Sequence, residues 1–198
     1  MIQPAKSPAT YQDVLSAPEG LTAELLGGEL HLQPRPAKPH TFTASVLGIR
    51  IGAAFEMGQS GPGGWWIQFE PELHLGPDVL VPDLAGWRRD ATPTFDLALS
   101  YYTERPDWVC EVLSPATARR DRLLKLDLYY QAGVAWAWLV DPEAQLIEVF
   151  ERTAGGWLRS QTAGGEEPAR LRPFDAVPTE LGALWIPRPP EPTGSPDR

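Results

Sequence analysis

Residues 108–141 read WVCEVLSPATARRDRLLKLDLYYQAGVAWAWLVD, and this stretch decides the fold. It opens and closes on apolar runs, Trp108–Leu113 and Val134–Val140. Both are strand-length and rich in aromatic and β-branched residues. Ser114-Pro115 breaks the first run and Asp141-Pro142 closes the second. The Leu-rich segment between them predicts a helix from Thr117 to Ala132, with Gly133 as its C-cap. Strand, helix, strand in this order predicts a βαβ unit, with two parallel strands covered by the connecting helix.

Upstream, Val79–Trp87 (VLVPDLAGW) reads as a strand in which Pro82 sets Asp83 where the pairing begins. Trp65–Leu75 reads as one or two strands around Pro71. His40 to about Glu56 favours a helix that ends near Gly58. Leu21–Leu32 reads as a hairpin turning at Gly27-Gly28, and Tyr11–Leu15 as a short helix. The polar stretch 88–105 is irregular, with a short helix expected near Asp96–Tyr102. Downstream, Leu146–Arg152 and Gly156–Gln161 form a second hairpin, and Phe174–Trp185 closes the domain. The order implies an α/β fold, a mixed β-sheet flanked by helices with an N-terminal hairpin. The expected domain spans 10–186, between a tail at 1–9 and a Pro-rich tail at 187–198.

A length of 198 residues suits one domain. Cys110 is the single cysteine, which excludes an internal disulfide and a CxxC metal site and fits a reducing cytoplasm. The first residues carry no apolar stretch of the secretory kind, and no apolar run reaches the roughly 18 residues that span a bilayer. The chain is therefore expected to be cytoplasmic, with no membrane partner. A net charge of −9 counts against a nucleic-acid coat protein, which shows a basic face. It is compatible with a nuclease, whose metal-holding carboxylates add negative charge.

Three residues stand out for chemistry. Side chains alternate along a strand, so Trp108, Cys110 and Val112 share one face while Val109, Glu111 and Leu113 share the other. Glu111 is thus a carboxylate among apolar neighbours, and burial obliges it to find a cation, a metal or a proton. The competing reading is a structural salt bridge to an arginine. Asp83, after Pro82, is either a metal ligand at a strand entry or an Asp capping a turn. On the helix, Asp121, Lys125 and Tyr129 form one row at i, i+4, i+8. Leu124 and Leu128 form the neighbouring row, and Leu123 adds to the apolar side. Spacing alone pairs Lys125 with Asp121 on the surface. Glu70 and Glu72 are possible additional ligands. His31, His40 and His74 have no zinc spacing, His40 reads as a helix cap, and Cys110 reads as core. No phosphate-binding glycine loop or nucleophile elbow is present.

Taken together, VPDLAGW, WVCEVLSPAT and RDRLLKLDLYYQAGVAWAWLVDP resemble the Uma-two family of restriction-endonuclease-like proteins, within the PD-(D/E)XK nuclease superfamily. The resemblance reaches upstream to AELLGGELHLQPRPAKPH and downstream to FDAVPTELGALW. It implies a restriction-endonuclease-like core of αβββαβ type, with Asp83 and Glu111 as metal-binding acids for Mg²⁺ (or Mn²⁺) and Lys125 as the third catalytic residue. The implied activity is metal-dependent endonucleolytic hydrolysis of phosphodiesters, with nucleic acid, DNA in the first place, as partner. A homodimer is the expected assembly for cutting a duplex. One departure is plain. The superfamily places a lysine two residues after the acid, and here that position is Leu113. The resemblance implies that Lys125 takes over from the following helix, with Arg119, Arg120 or Arg122 as alternatives. Leu113 and the acidic charge support an alternative, a nuclease-fold protein without catalysis that binds or regulates. RNA is the alternative substrate.

Overall fold

The computed structural model describes residues 7–187. The expected tails, apart from residues 7–9 and 187, lie outside the described residues. After a short helix α1 (Tyr11–Leu15), strands β1 (Thr22–Leu26) and β2 (Glu29–Gln33) form the N-terminal hairpin. Gly27 and Gly28 both sit at positive φ, 59° and 82°, as the tight turn between them requires. Helix α2 (Lys38–Ile51) carries Pro39 in its first turn, which its fixed φ suits, and runs into a π-turn at Gly52–Glu56. Strands β3 (Trp65–Phe69), β4 (Leu73–Leu75), β5 (Asp78–Leu80), β6 (Leu84–Arg88) and β7 (Trp108–Val112) follow.

The helix after β7 has three parts: α3 (Ala118–Arg120), a π-turn at Asp121–Lys125, and α4 (Leu126–Ala132). Gly133 ends it in the left-handed region, as expected. Strands β8 (Trp136–Asp141), β9 (Leu146–Thr153) and β10 (Gly156–Gly164) complete the larger sheet, and a 3-10 turn at Leu181–Leu184 closes the described chain. The larger sheet has six strands in the order β10-β9-β8-β7-β6-β3; the smaller has four in the order β2-β1-β5-β4. β7 and β8 pair in parallel, the expected βαβ unit, while β3–β6, β6–β7 and β8–β9 are antiparallel. Helix α2, then β3, β6, β7, then α3–α4 and β8, make the αβββαβ core that the resemblance implied.

Two expectations are corrected. Val79–Trp87 is not one strand. It contributes β5 to the smaller sheet and β6 to the larger, and the chain crosses between sheets at Val81-Pro82-Asp83, where proline cannot donate to a ladder. Asp96–Tyr102 forms no helix. Asp96 instead accepts from the Ala98 N–H in a local turn, and Phe95 and Tyr102 pack on the Trp87 ring, which holds the segment down as a cover.

The faces of the larger sheet carry separate cores. On one, Trp108, Cys110 and Val112 pack with Trp138 and Val140 against Leu47 and Ile51 of α2 and against Phe174. On the other, Val109 and Leu113 meet Leu126 and Tyr129 of the crossover helix and Leu26, Leu73 and Leu80 of the smaller sheet. The alternation predicted for 108–113 is thus the observed one. Among the described residues no helix is long and apolar enough to cross a membrane.

Candidate active site

The β6–β7 ladder pairs Leu84 with Cys110. Continued by one residue, it sets Asp83 against Glu111. Both side chains line one cleft of about 400 Å³, together with Lys125, Asp121, Arg120, His40, Glu70 and Arg35. The walls come from the Pro34–Ala37 loop before α2 and from Ser114–Thr117 after β7.

Asp83 is held at both oxygens. Oδ2 accepts from the Val112 N–H at 2.7 Å, and Oδ1 lies 3.0 Å from His40 Nε2. Burial would lower the His40 pKa, but the hydrogen bond and charge of Asp83, with Asp121 and Glu70 beyond, raise it. Its Nδ1 is buried and makes no hydrogen bond among the described residues.

Glu111 is 4% exposed. Its Oε1 accepts from Tyr129 OH at 2.6 Å and from Lys125 Nζ at 2.7 Å. Burial pushes its carboxyl well above the usual range; Lys125 opposes this, and Asp121, Asp83 and Glu24 add to it. Lys125 is 1% exposed and is not the surface partner of Asp121 that spacing alone suggested. Its ammonium lies 2.9 Å from Glu24 Oε1 and 3.2 Å from the Val81 carbonyl, in addition to Glu111. Burial alone would lower its pKa, but the charges of Glu111, Glu24 and Asp121 outweigh that and raise it.

Glu24 comes from β1 and is fully buried. Burial would raise its carboxyl, but Lys125, the Val81 N–H and Arg120 together hold it below the usual value. Asp121, also buried, is raised by burial against the pull of Lys125. Arg120 stretches between these acids, 3.7 Å from Asp121 and 4.0 Å from Glu24, and its Nε and one terminal nitrogen are buried without a hydrogen bond. Leu113 is buried in the apolar cluster, so the ammonium beside Glu111 arrives from the helix rather than from the strand.

Asp83, Glu111 and Lys125 therefore meet in one cleft, and Glu70 joins them. Glu72 does not; it bonds Tyr11 and His74 instead. His31 approaches Glu29 on the hairpin, and Cys110 is buried on the opposite face of the sheet. His40 is no helix cap but a neighbour of Asp83. Glu24, the contact of His40 with Asp83 and that of Tyr129 with Glu111 escaped sequence reasoning. The one available signal for Glu24 was its place on a hairpin face between Thr22 and Leu26, an acid where an apolar residue would pack. Among the described residues no group of three or more His, Cys, Asp or Glu is arranged to hold a metal ion. Of the four carboxylates that line the cleft among the described residues, Asp83 and Glu111 stand at adjacent strands of the larger sheet. That pair fits a hard cation such as Mg²⁺, which takes one or two carboxylates and keeps several waters.

Comparison with known proteins gives three findings. A family described as Uma2, "Putative restriction endonuclease", matches residues 8–183. No curated protein matches. Among solved structures, the chain is similar to one titled a "putative nuclease belonging to DUF820" from Anabaena variabilis. The TM-score is 0.69 at 19% identity, over 89% of this chain and 97% of that one, a likeness of fold.

Proposed function

This chain belongs to the Uma2 family, and on that premise we propose that it is a metal-dependent endonuclease that hydrolyses nucleic-acid phosphodiester bonds in the Asp83–Glu111 cleft. The observation that carries the reading is the meeting of Asp83, Glu111 and Lys125 in one cleft, with the Lys125 ammonium 2.7 Å from Glu111. Asp83 and Glu111 are the residues that would hold Mg²⁺ or Mn²⁺. When bound, such a cation supplies Lewis acidity for water activation and neutralises charge at the phosphate. The chain's own groups do the rest. The Val112 N–H and His40 fix the Asp83 carboxylate, and the Tyr129 hydroxyl orients that of Glu111. Lys125 places a permanent positive charge at the floor of the cleft, where low dielectric strengthens its pull on a phosphate. DNA is the substrate of choice because the family is described by restriction activity. Cutting both strands would take two such clefts, hence a homodimer, which light scattering tests.

A second reading has its own observation. All three ammonium protons of Lys125 face protein acceptors, Glu24, Glu111 and the Val81 carbonyl, which is how a structural lysine is satisfied. With Leu113 in the usual lysine position, this favours a nuclease fold that binds or regulates without cutting. Supercoiled plasmid, labelled duplex and single strands, incubated with Mg²⁺ or Mn²⁺, separate the two. The nuclease reading expects cleavage by the wild type and its loss in Asp83→Asn and Glu111→Gln, with the fold kept. Cleavage undiminished in both variants would sink it. A wild type that binds DNA and Mn²⁺ but leaves every substrate intact would establish the second reading.

A further inference from the structure

Glu24 lies outside the αβββαβ core, on β1 of the smaller sheet, with no exposed surface. Its carboxylate is fully engaged. Oε1 takes the Val81 N–H at 2.9 Å and Lys125 Nζ at 2.9 Å; Oε2 takes Gln33 Nε2 at 2.6 Å. Two neutral donors do not balance a buried charge; of the two cations beside it, Lys125 makes contact at 2.9 Å while Arg120 stands back at 4.0 Å. Lys125 in turn stands between two acids from two different sheets, Glu24 on one side and Glu111 on the other. The crossing segment Val81-Pro82-Asp83 is tied into the same knot. The Val81 N–H goes to Glu24, the Val81 carbonyl faces Lys125, and Asp83 lies two residues on.

This arrangement has a consequence for Glu111. A cation held by Glu111 competes with Lys125 for the same carboxylate. If Glu111 were the only acid on Lys125, the ammonium would stay on it and repel the cation. With Glu24 present, Lys125 keeps a full ionic partner whichever way Glu111 turns its charge.

We propose that Glu24 is a positioning residue of the cleft: it anchors the Lys125 ammonium from the N-terminal hairpin, so that Glu111 is released for a divalent cation while Lys125 stays beside it. This rests on the nuclease reading and extends the site to a residue of the smaller sheet. Glu24 touches neither cation nor substrate and acts through Lys125.

The test is Mn²⁺ binding by calorimetry on the full chain at neutral pH, for the wild type, Glu24→Gln, Lys125→Met and the double variant, each checked for folding by circular dichroism. Glu24→Gln should weaken Mn²⁺ binding by about tenfold, at the low end of what loss of an outer partner does to a metal site. Lys125→Met should not weaken it. Adding Glu24→Gln to Lys125→Met should cost nothing further, because the route through Lys125 is gone. An equal loss on both backgrounds would mean that Glu24 acts by its charge alone, and no loss in Glu24→Gln would make it merely structural; either overturns the proposal. A wild type that takes up no Mn²⁺ is a different failure, and it removes the nuclease reading together with this one.

A second measurement needs no change at Lys125. The chain has three lysines, Lys6, Lys38 and Lys125, so reductive methylation read by peptide mass spectrometry reports on Lys125 directly. In the wild type Lys125 should stay protected with and without Mn²⁺. In Glu24→Gln it should become reactive when Mn²⁺ is added. Protection unchanged by Mn²⁺ in Glu24→Gln would refute the anchoring role.

Discussion

Trp108, Cys110 and Val112 project from β7 into a cluster of aromatic and aliphatic side chains, whereas Glu111, on the same strand, projects toward Lys125, Tyr129 and three further acids. The two faces share a backbone but are held by different forces. On the first, Phe174 meets Trp108, Trp138, Trp65 and Phe55 at ring centroid distances of 4.8, 5.7, 4.9 and 4.8 Å. Such contacts gain from area removed from water and from edge-to-face geometry, and they need no exact partner. On the second, every charge must be matched, because an unmatched one is costly out of water. The dry face builds stability. The charged face costs stability unless each partner is present, and it is the face that opens into the cleft.

The largest effect is expected on the dry face. Phe174→Ala removes a fully buried ring from the centre of four aromatic contacts and should cost about 4 kcal/mol in chemical denaturation. It should leave Mn²⁺ affinity of the remaining folded protein unchanged. A loss below about 1 kcal/mol would mean that the C-terminal segment closes over the sheet without stabilising it.

Slightly smaller is Lys125→Met. It removes the ammonium that stands between Glu24 and Glu111, and breaking a buried pair in this way typically costs about 3–5 kcal/mol. Arg120, 4.0 Å from Glu24, still offsets part of its charge, so the low end, about 3 kcal/mol, is expected. The double change Glu24→Gln with Lys125→Met should recover much of it, since no uncompensated charge then stands on Glu24. Denaturation of the four members of the cycle checks this; simple additivity would show that the charged face is not a coupled unit.

The acids of the charged face also titrate in opposite senses. The Glu111 carboxyl is raised, so the folded state binds its proton more tightly than the unfolded chain does. Its contribution is present below the ordinary value of 4.5 and is lost as pH climbs from there toward the raised value. Glu24 is lowered, so its contribution is present above 4.5 and is lost as pH falls through its folded value. Glu111→Gln should therefore flatten the decline in stability on the neutral side of 4.5 and keep the decline on the acid side. Stability measured across pH with and without the substitution tests the slope; an unchanged neutral-side slope would place the titrating acid elsewhere.

Much of the fold was legible because local rules and tertiary structure agree. Gly27-Gly28 forces a turn, Gly133 forces a helix end, and the alternation in 108–113 sorts side chains correctly between the two cores. The division of Val79–Trp87 between two sheets was not legible, because an apolar run with one proline looks the same whether it stays in one sheet or changes sheets. Asp83, Glu111 and Lys125 were singled out through resemblance, and the structure brings the three into one cleft. Glu24 was hidden and His40 misread as a cap because their meaning lies in partners distant along the chain. Glu24 bonds Val81 57 positions away, and nothing in TAELL announces that.

The helix shows the same limit most sharply, and it supplies the smallest prediction. Pattern reasoning assigned Leu123, Leu124 and Leu128 to the apolar side and left Asp121, Lys125 and Tyr129 as the polar row. The structure reverses the burial. Asp121, Lys125 and Tyr129 are buried, Leu124 and Leu128 pack at the margin of the core, and Leu123 is 67% exposed. Hydrophobic periodicity assumes that a charged row seeks water. Here Glu24 and Glu111 supply the counter-charge for Lys125, and the row turns inward. The π-turn at Asp121–Lys125 lies where this happens, adding a residue to the turn that carries the lysine. Leu123 then has little to bury against, and Leu123→Gln should change stability by no more than about 0.5 kcal/mol, the range of an ordinary surface substitution. Thermal and chemical denaturation of that variant decide the point. A loss of about 2 kcal/mol or more, the scale of a buried leucine, would return Leu123 to the core and with it the face that sequence periodicity chose.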